Sequence, residues 1–158
     1  MPAPWKPSVT VAAIVERDGR FLMVEEETPE GVRLNQPAGH LDPGESLVDA
    51  AIREALEETA CVFTPIALLG VYMARSASAY EGQPVTYVRF AFTGWVGEPE
   101  SGRELDTGIL RTLWLTPDEI RTRSDEHRSP LVMKCVDDYL AGQRHPLSAI
   151  FVHPSAIL

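Results

Sequence analysis

Basic side chains are scarce in this sequence. Fourteen lysines and arginines stand against 23 aspartates and glutamates, giving a formal charge of −9 and a pI near 4.9. A protein that grips a nucleic-acid backbone needs a basic face, so the expectation is no nucleic-acid partner. Small phosphate substrates stay open, because a divalent cation inverts the local charge. Cysteine is nearly absent. Cys61 and Cys135 lie far apart, fit no metal-ligand spacing and read as reduced, buried thiols of a cytoplasmic protein. His40, His127, His145 and His153 form no HxxxH or HxH pair, and none reads as a metal ligand. Long apolar runs are missing too: none approaches the ~20 residues of a membrane span, and the opening MPAPWK has no apolar signal core. The expectation is a cytoplasmic protein with no membrane partner.

What is present suits a folded core. Hydrophobic residues make up 44% and charged residues 23% of 158 positions, enough for a single domain spanning 1–158. Residues 8–16 (SVTVAAIVE) read as a strand, Asp18-Gly19 as a hairpin turn and residues 21–24 as its partner. Residues 25–31 read as a polar loop, and residues 34–36 as a short strand stopped by Pro37. A helix follows over about 47–59, then strands near 66–74, 85–96 and 109–115. Thr116-Pro117-Asp118-Glu119 has the form of a capping box with proline at the first helical position. Ser129-Pro130 opens a last helix that Gly142 closes, its apolar residues recurring at three- and four-residue steps. Strands, helix, strands, helices: the order predicts one mixed α/β (α+β) domain.

The chemistry concentrates in residues 39–61, GHLDPGESLVDAAIREALEETAC. Ser46 and Asp49 are spaced as an N-cap and its capping-box partner. At 3.6 residues per turn, Glu54, Glu57 and Glu58 fall within an arc of about 100°, opposite an apolar side containing Val48, Ile52, Ala55 and Leu56. Like charges at this spacing repel, and they sit in the last turns, where the helix dipole disfavours anions. A hard divalent cation relieves both, since Mg²⁺ takes carboxylate, water and phosphate oxygens. Arg53, four residues before Glu57, is placed to hold that carboxylate. A bare E-x-x-E-E is usually a solvated helix face. Here Gly39, Glu45 and Arg53-Glu54 precede Glu57-Glu58 at fixed intervals, which makes chance a poor account.

This pattern resembles the Nudix box, G-x5-E-x7-R-E-U-x-E-E-x-G-U, departing from it only at Ala60, where the family has glycine. A left-handed alanine costs about 1 kcal/mol, so the expectation is a helix end built differently. The resemblance implies an α/β/α sandwich with a mixed central sheet and hydrolysis of diphosphate linkages. It implies Mg²⁺, with Mn²⁺ as an alternative, held by Glu54, Glu57 and Glu58 with help from the Gly39 carbonyl. Glu57 would touch metal and water together, while Glu45 and Arg53 orient the ligands. Outside the box, residues 35–41 (NQPAGHL), RSPLV at 128–132, GQR at 142–144 and Pro146-Leu147 resemble a bacterial phosphatase branch of the family. That branch releases orthophosphate from nucleoside tri- and diphosphates and thiamine-type pyrophosphates. The alternatives are a pyrophosphatase for modified nucleotides or nucleoside diphosphate sugars, and a silent nucleotide-sensing module. Neither the leaving group nor the choice between monomer and homodimer follows from the residues.

Further candidates lie elsewhere. Arg89, mid-strand opposite Phe90 and Phe92, reads either as a surface or ion-paired residue or as a clamp on a terminal phosphate. Arg33 carries the same two readings. Among Trp5, Trp95, Trp114, Tyr72, Tyr80 and Tyr87, Tyr80 is the exposed candidate for stacking on a substrate ring. Glu104 and Asp106 read as solvated loop charge or as a further metal ligand or base. His127-Arg128-Ser129 either approaches phosphate at a helix start or merely caps it.

Overall fold

A computed structural model describes residues 1–77 and 82–158. Tyr80, the expected stacking residue, lies outside the described residues. Ser8–Ile14 (β1), Ala38–His40 (β5), Phe63–Ser76 (β6) and Val85–Val96 (β7) form a mixed sheet in the order β5-β1-β7-β6. Only the β1–β7 pair in it is parallel. In a second, antiparallel sheet Arg20–Thr28 (β3) pairs with Glu16–Arg17 (β2), Gly31–Asn35 (β4) and Ile109–Leu115 (β8).

Alternation along β1 assigns the two faces of the mixed sheet. Val11 and Ala13 pack with Phe92 beneath Leu47–Thr59 (α1), through Ala50, Ala51 and Ala55. Ala12 and Ile14 pack on the other face with Ala91 and with Leu131, Val132, Cys135 and Val136 of Leu131–Leu140 (α3). The result is the helix–sheet–helix sandwich expected. Cys61 and Cys135 are free and buried in the two separate clusters. No helix among the described residues is long and apolar enough to cross a membrane.

Local signals account for most elements. Asp18 and Gly19 have φ of 52° and 79°, as a two-residue hairpin turn requires. Thr116 accepts the Glu119 N–H at 3.2 Å while Glu119 accepts the Thr116 N–H at 2.9 Å, closing the expected capping box before Pro117–Thr122 (α2). At α1 only half of the expected box forms: Ser46 Oγ accepts the Asp49 N–H at 3.0 Å. At α3 Ser129 Oγ accepts the Leu131 N–H at 3.1 Å.

Other expectations need correction. Residues 25–31 are not a loop: β3 runs on to Thr28 and pairs with β4, which ends at Asn35. Cations from other elements make an acidic strand tolerable. Arg111 and Arg123 hold Glu25, the latter at 2.7 Å, and Arg128 lies 3.4 Å from Glu26. Strand β6 extends three residues further back and two further on than the reading at 66–74. Strand β5 carries no readable periodicity, being three residues long with glycine at its centre and proline just before it. The helix end at Ala60 is not built differently. Ala60 takes the left-handed conformation itself, φ 62° and ψ 13°, and its N–H caps the Leu56 carbonyl at 2.9 Å.

Candidate active site

Helix α1 does not hold its acidic arc out to solvent. Glu54 and Glu58 are 9% and 7% exposed, packed against β5 and the sheet rather than facing water. Gly39 of β5 explains how they fit. A Cβ there would lie 2.2 Å from the Glu54 carboxyl carbon, so the missing side chain leaves this carboxylate its place beside the strand. The Glu58 carboxylate accepts the Ala38 N–H at 3.0 Å.

Arg53 organises this cluster. Its Nε and Nη2 fork onto Glu45 at 3.0 and 2.7 Å, Nη1 donates to Glu54 at 2.8 Å and to Glu57 at 3.2 Å, and Nη2 also reaches the His40 carbonyl at 2.9 Å. Asp42 lies 3.4 Å away, and its N–H donates to Glu45 at 2.8 Å. One guanidinium thus ties the loop before α1 to two carboxylates of the helix. The same fork keeps the Glu45 carboxyl below its ordinary pKa.

Asp106 supplies a third carboxylate. Its N–H donates to the Glu57 carbonyl at 2.9 Å, and the Glu100 N–H donates to the Ala60 carbonyl at 2.8 Å. The segment before β8 thereby satisfies carbonyls that the last turn of α1 leaves free. One carboxylate oxygen each from Glu54, Glu57 and Asp106 lie within 4.8 Å of one another. Burial raises the pKa of Glu54 to about 7 and of Glu58 to about 9. Burial also raises Glu57, and the charge of Asp106 raises it further. Close-set carboxylates held at a cost in desolvation and repulsion suit a hard divalent cation, so these donors fit the metal that the sequence pattern implies.

These groups open onto a cavity of about 730 Å³ that Glu54, Glu58 and Asp106 line together with Arg75, Arg89 and Arg128. Arg89 is not a surface residue. It is 5% exposed, and its Nη1 and Nη2 donate to Gln36 Oε1 and Asn35 Oδ1, each at 2.9 Å. Tyr87 and His40 also line the cavity, their ring centroids 6.1 Å apart. Ser129 and Arg128 bring the start of α3 to the wall. Arg33 lies outside the lining, donating to the Val32 carbonyl at 3.1 Å with Glu30 3.9 Å away. Trp5 and Trp95 are exposed, Trp114 stacks under Arg17, and Tyr72 is buried on Asp138.

A family profile described as "NUDIX domain" matches residues 4–135. The chain belongs to the Nudix family. A phosphatase NudJ of Escherichia coli (strain K12) is 36% identical to this Nudix hydrolase over 146 residues, 92% of each chain. The solved NUDIX hydrolase from Nitrosomonas europaea superposes with a TM-score of 0.87 at 50% identity, covering 94% of this chain and 99% of the other. A MutT NUDIX hydrolase from Burkholderia pseudomallei, at 22% identity, shares the fold with a TM-score of 0.68 over 85% of this chain and 98% of its own. Members of the family use divalent metals and act on small nucleotide substrates, consistent with the carboxylate cluster.

The site therefore brings together Gly39, Arg53, Glu54, Glu57, Glu58 and Arg89, which the sequence singles out. Of the two readings open for Asp106 it favours the ligand-like one, placing it at the cluster, and it adds Asn35 and Gln36 beneath Arg89. Both open the run at 35–41 that the sequence singles out, but their role under Arg89 is not legible there, since that partner lies more than fifty residues away in the chain.

Proposed function

We propose that this Nudix hydrolase cleaves phosphoanhydride bonds of nucleoside tri- and diphosphates and thiamine-type pyrophosphates, releasing orthophosphate with Mg²⁺ or Mn²⁺ bound. One observation carries the reading: the carboxylates of Glu54, Glu58 and Asp106 and the buried guanidinium of Arg89 line one cavity, with Glu57 in the close-set group beside Glu54 and Asp106. The first group suits a cation and the second a phosphate, so a terminal phosphoryl group can be held from both sides. The likeness to a NudJ phosphatase over most of both chains supports the choice of product.

When bound, the cation neutralises phosphate charge and acidifies a water. The protein's own groups do the rest. Arg53 keeps Glu57 in one orientation through their 3.2 Å contact. Glu57, its pKa raised, is suited to accept a proton from the attacking water. Glu54 and Glu58, together with the Gly39 carbonyl, are the remaining proposed ligands. Arg89 grips the terminal phosphoryl oxygens.

Two measurements test the proposal. Phosphorus NMR of the reaction with ATP and Mg²⁺ should show ADP and orthophosphate as first products, and thiamine pyrophosphate should yield thiamine monophosphate. AMP with pyrophosphate would transfer the enzyme to the modified-nucleotide or nucleotide-sugar class, and no turnover at all would favour a silent binding module. Second, Arg89→Lys retains the charge and loses the fork. It should lower kcat/KM by roughly ten- to a hundredfold, or about 1.4–2.7 kcal/mol. Unchanged kcat/KM removes Arg89 from substrate binding.

A further inference from the structure

A buried guanidinium is expected to meet a carboxylate, because leaving its charge uncompensated is costly. Arg89 is 5% exposed, yet its two hydrogen-bonded oxygens belong to the neutral amides of Asn35 and Gln36. Its remaining polar contact is the Cys135 sulfur at 3.8 Å. Among the described residues, no carboxylate oxygen comes within 4.0 Å of its guanidinium. Glu26 feels its charge, but has Arg128 as its ion-pair partner at 3.4 Å, and burial raises its pKa.

The cradle is itself fixed. Gln36 is fully buried, and its Nε2 donates to the Val132 carbonyl in the first turn of α3 at 2.8 Å. That bond leaves its Oε1 facing the arginine. Asn35 Nδ2 donates to Glu26 at 3.4 Å, which orients its Oδ1 in the same way. Both amides are thus turned to support the guanidinium while adding no negative charge.

We infer that Arg89, cradled by the side-chain amides of Asn35 and Gln36, forms an anion site that binds a phosphoryl group without a metal ion, and that the neutrality of Asn35 keeps this site open. The inference rests on the proposed contact of Arg89 with substrate, but it does not require hydrolysis. Asn35→Asp supplies a carboxylate of nearly the same shape 2.9 Å from the guanidinium and competes with the ligand. Asn35→Ala removes one support and adds no charge.

The test titrates inorganic pyrophosphate into the full chain freed of metal by chelation and dialysis, read by calorimetry or phosphorus NMR, with melting temperatures confirming that each variant is folded. The parent should bind, Asn35→Ala should bind within about threefold, and Asn35→Asp and Arg89→Gln should each weaken binding about tenfold or more. Equal affinity in the parent and Asn35→Asp would overturn the inference, as would equal losses in Asn35→Ala and Asn35→Asp, which would mean orientation rather than charge. Metal-free binding that depends on Arg89, with no turnover when Mg²⁺ is added, would sink the proposed activity and leave this site standing. Turnover that needs Arg89, without metal-free binding, would do the reverse.

Discussion

Replacing Glu57 by glutamine should lower turnover by about three orders of magnitude or more in excess Mg²⁺. The substitution keeps the shape of the side chain and an oxygen for Arg53, so the 3.2 Å contact has a neutral counterpart. It removes a negative charge from the Glu54–Glu57–Asp106 group and, with it, the proposed proton acceptor. Because both losses fall on the step that moves a proton from water, kcat should drop far more than KM rises. Steady-state kinetics decides this, with the melting temperature as a check on folding. A rate within tenfold of the parent would take Glu57 out of the mechanism.

The second large effect is on stability. Glu54 and Glu58 have folded pKa values of about 7 and 9, above the ordinary carboxylate value of 4.5. A carboxyl group whose pKa rises on folding binds more protons folded than unfolded between those limits. Without metal, stability should therefore be greatest near pH 5 and fall as pH rises towards 9, by several kcal/mol and at most about 9 kcal/mol at ~1.4 kcal/mol per pKa unit, lowering the melting temperature by roughly 10 °C or more. Glutamine at both positions should flatten this slope, raise the metal-free melting temperature at pH 8 and abolish the response to Mg²⁺. In the parent, millimolar Mg²⁺ or Mn²⁺ should oppose the decline, since a ligand that binds only the folded state stabilises it and needs ionised carboxylates. Sodium chloride of matched ionic strength should do less. A metal-free melting temperature that rises between pH 5 and 9 would contradict the burial of these two groups.

Legibility followed the range of the interactions involved. Helix α1 was readable to the residue because its cap, its apolar side and its acidic arc all lie within thirteen consecutive positions. Strands β7 and β8 were readable for the same reason, each being a short local run rich in apolar, β-branched and aromatic residues. What helical periodicity could not show was that Glu54 and Glu58 of the acidic arc are buried. For Glu54 that depends on Gly39 leaving room for its carboxylate beside β5, a fact about two elements at once. The strand character of residues 25–28 was hidden likewise, because the arginines that neutralise it come from positions 111, 123 and 128. For Asp106 the sequence leaves open both solvated loop charge and a metal ligand or base, because the backbone bond that brings it to Glu57 spans 49 positions.

That backbone bond makes the motif helix a poor module for transplantation. Grafted onto another scaffold, α1 would carry Glu54, Glu57 and Glu58 with it, but the third carboxylate of the close-set group would stay behind. Asp106 arrives by main-chain pairing to the last turn of the helix, so its position is governed by the number of residues between β7 and β8. A single insertion between Glu100 and Asp106 would shift that carboxylate while every residue of the motif remained intact.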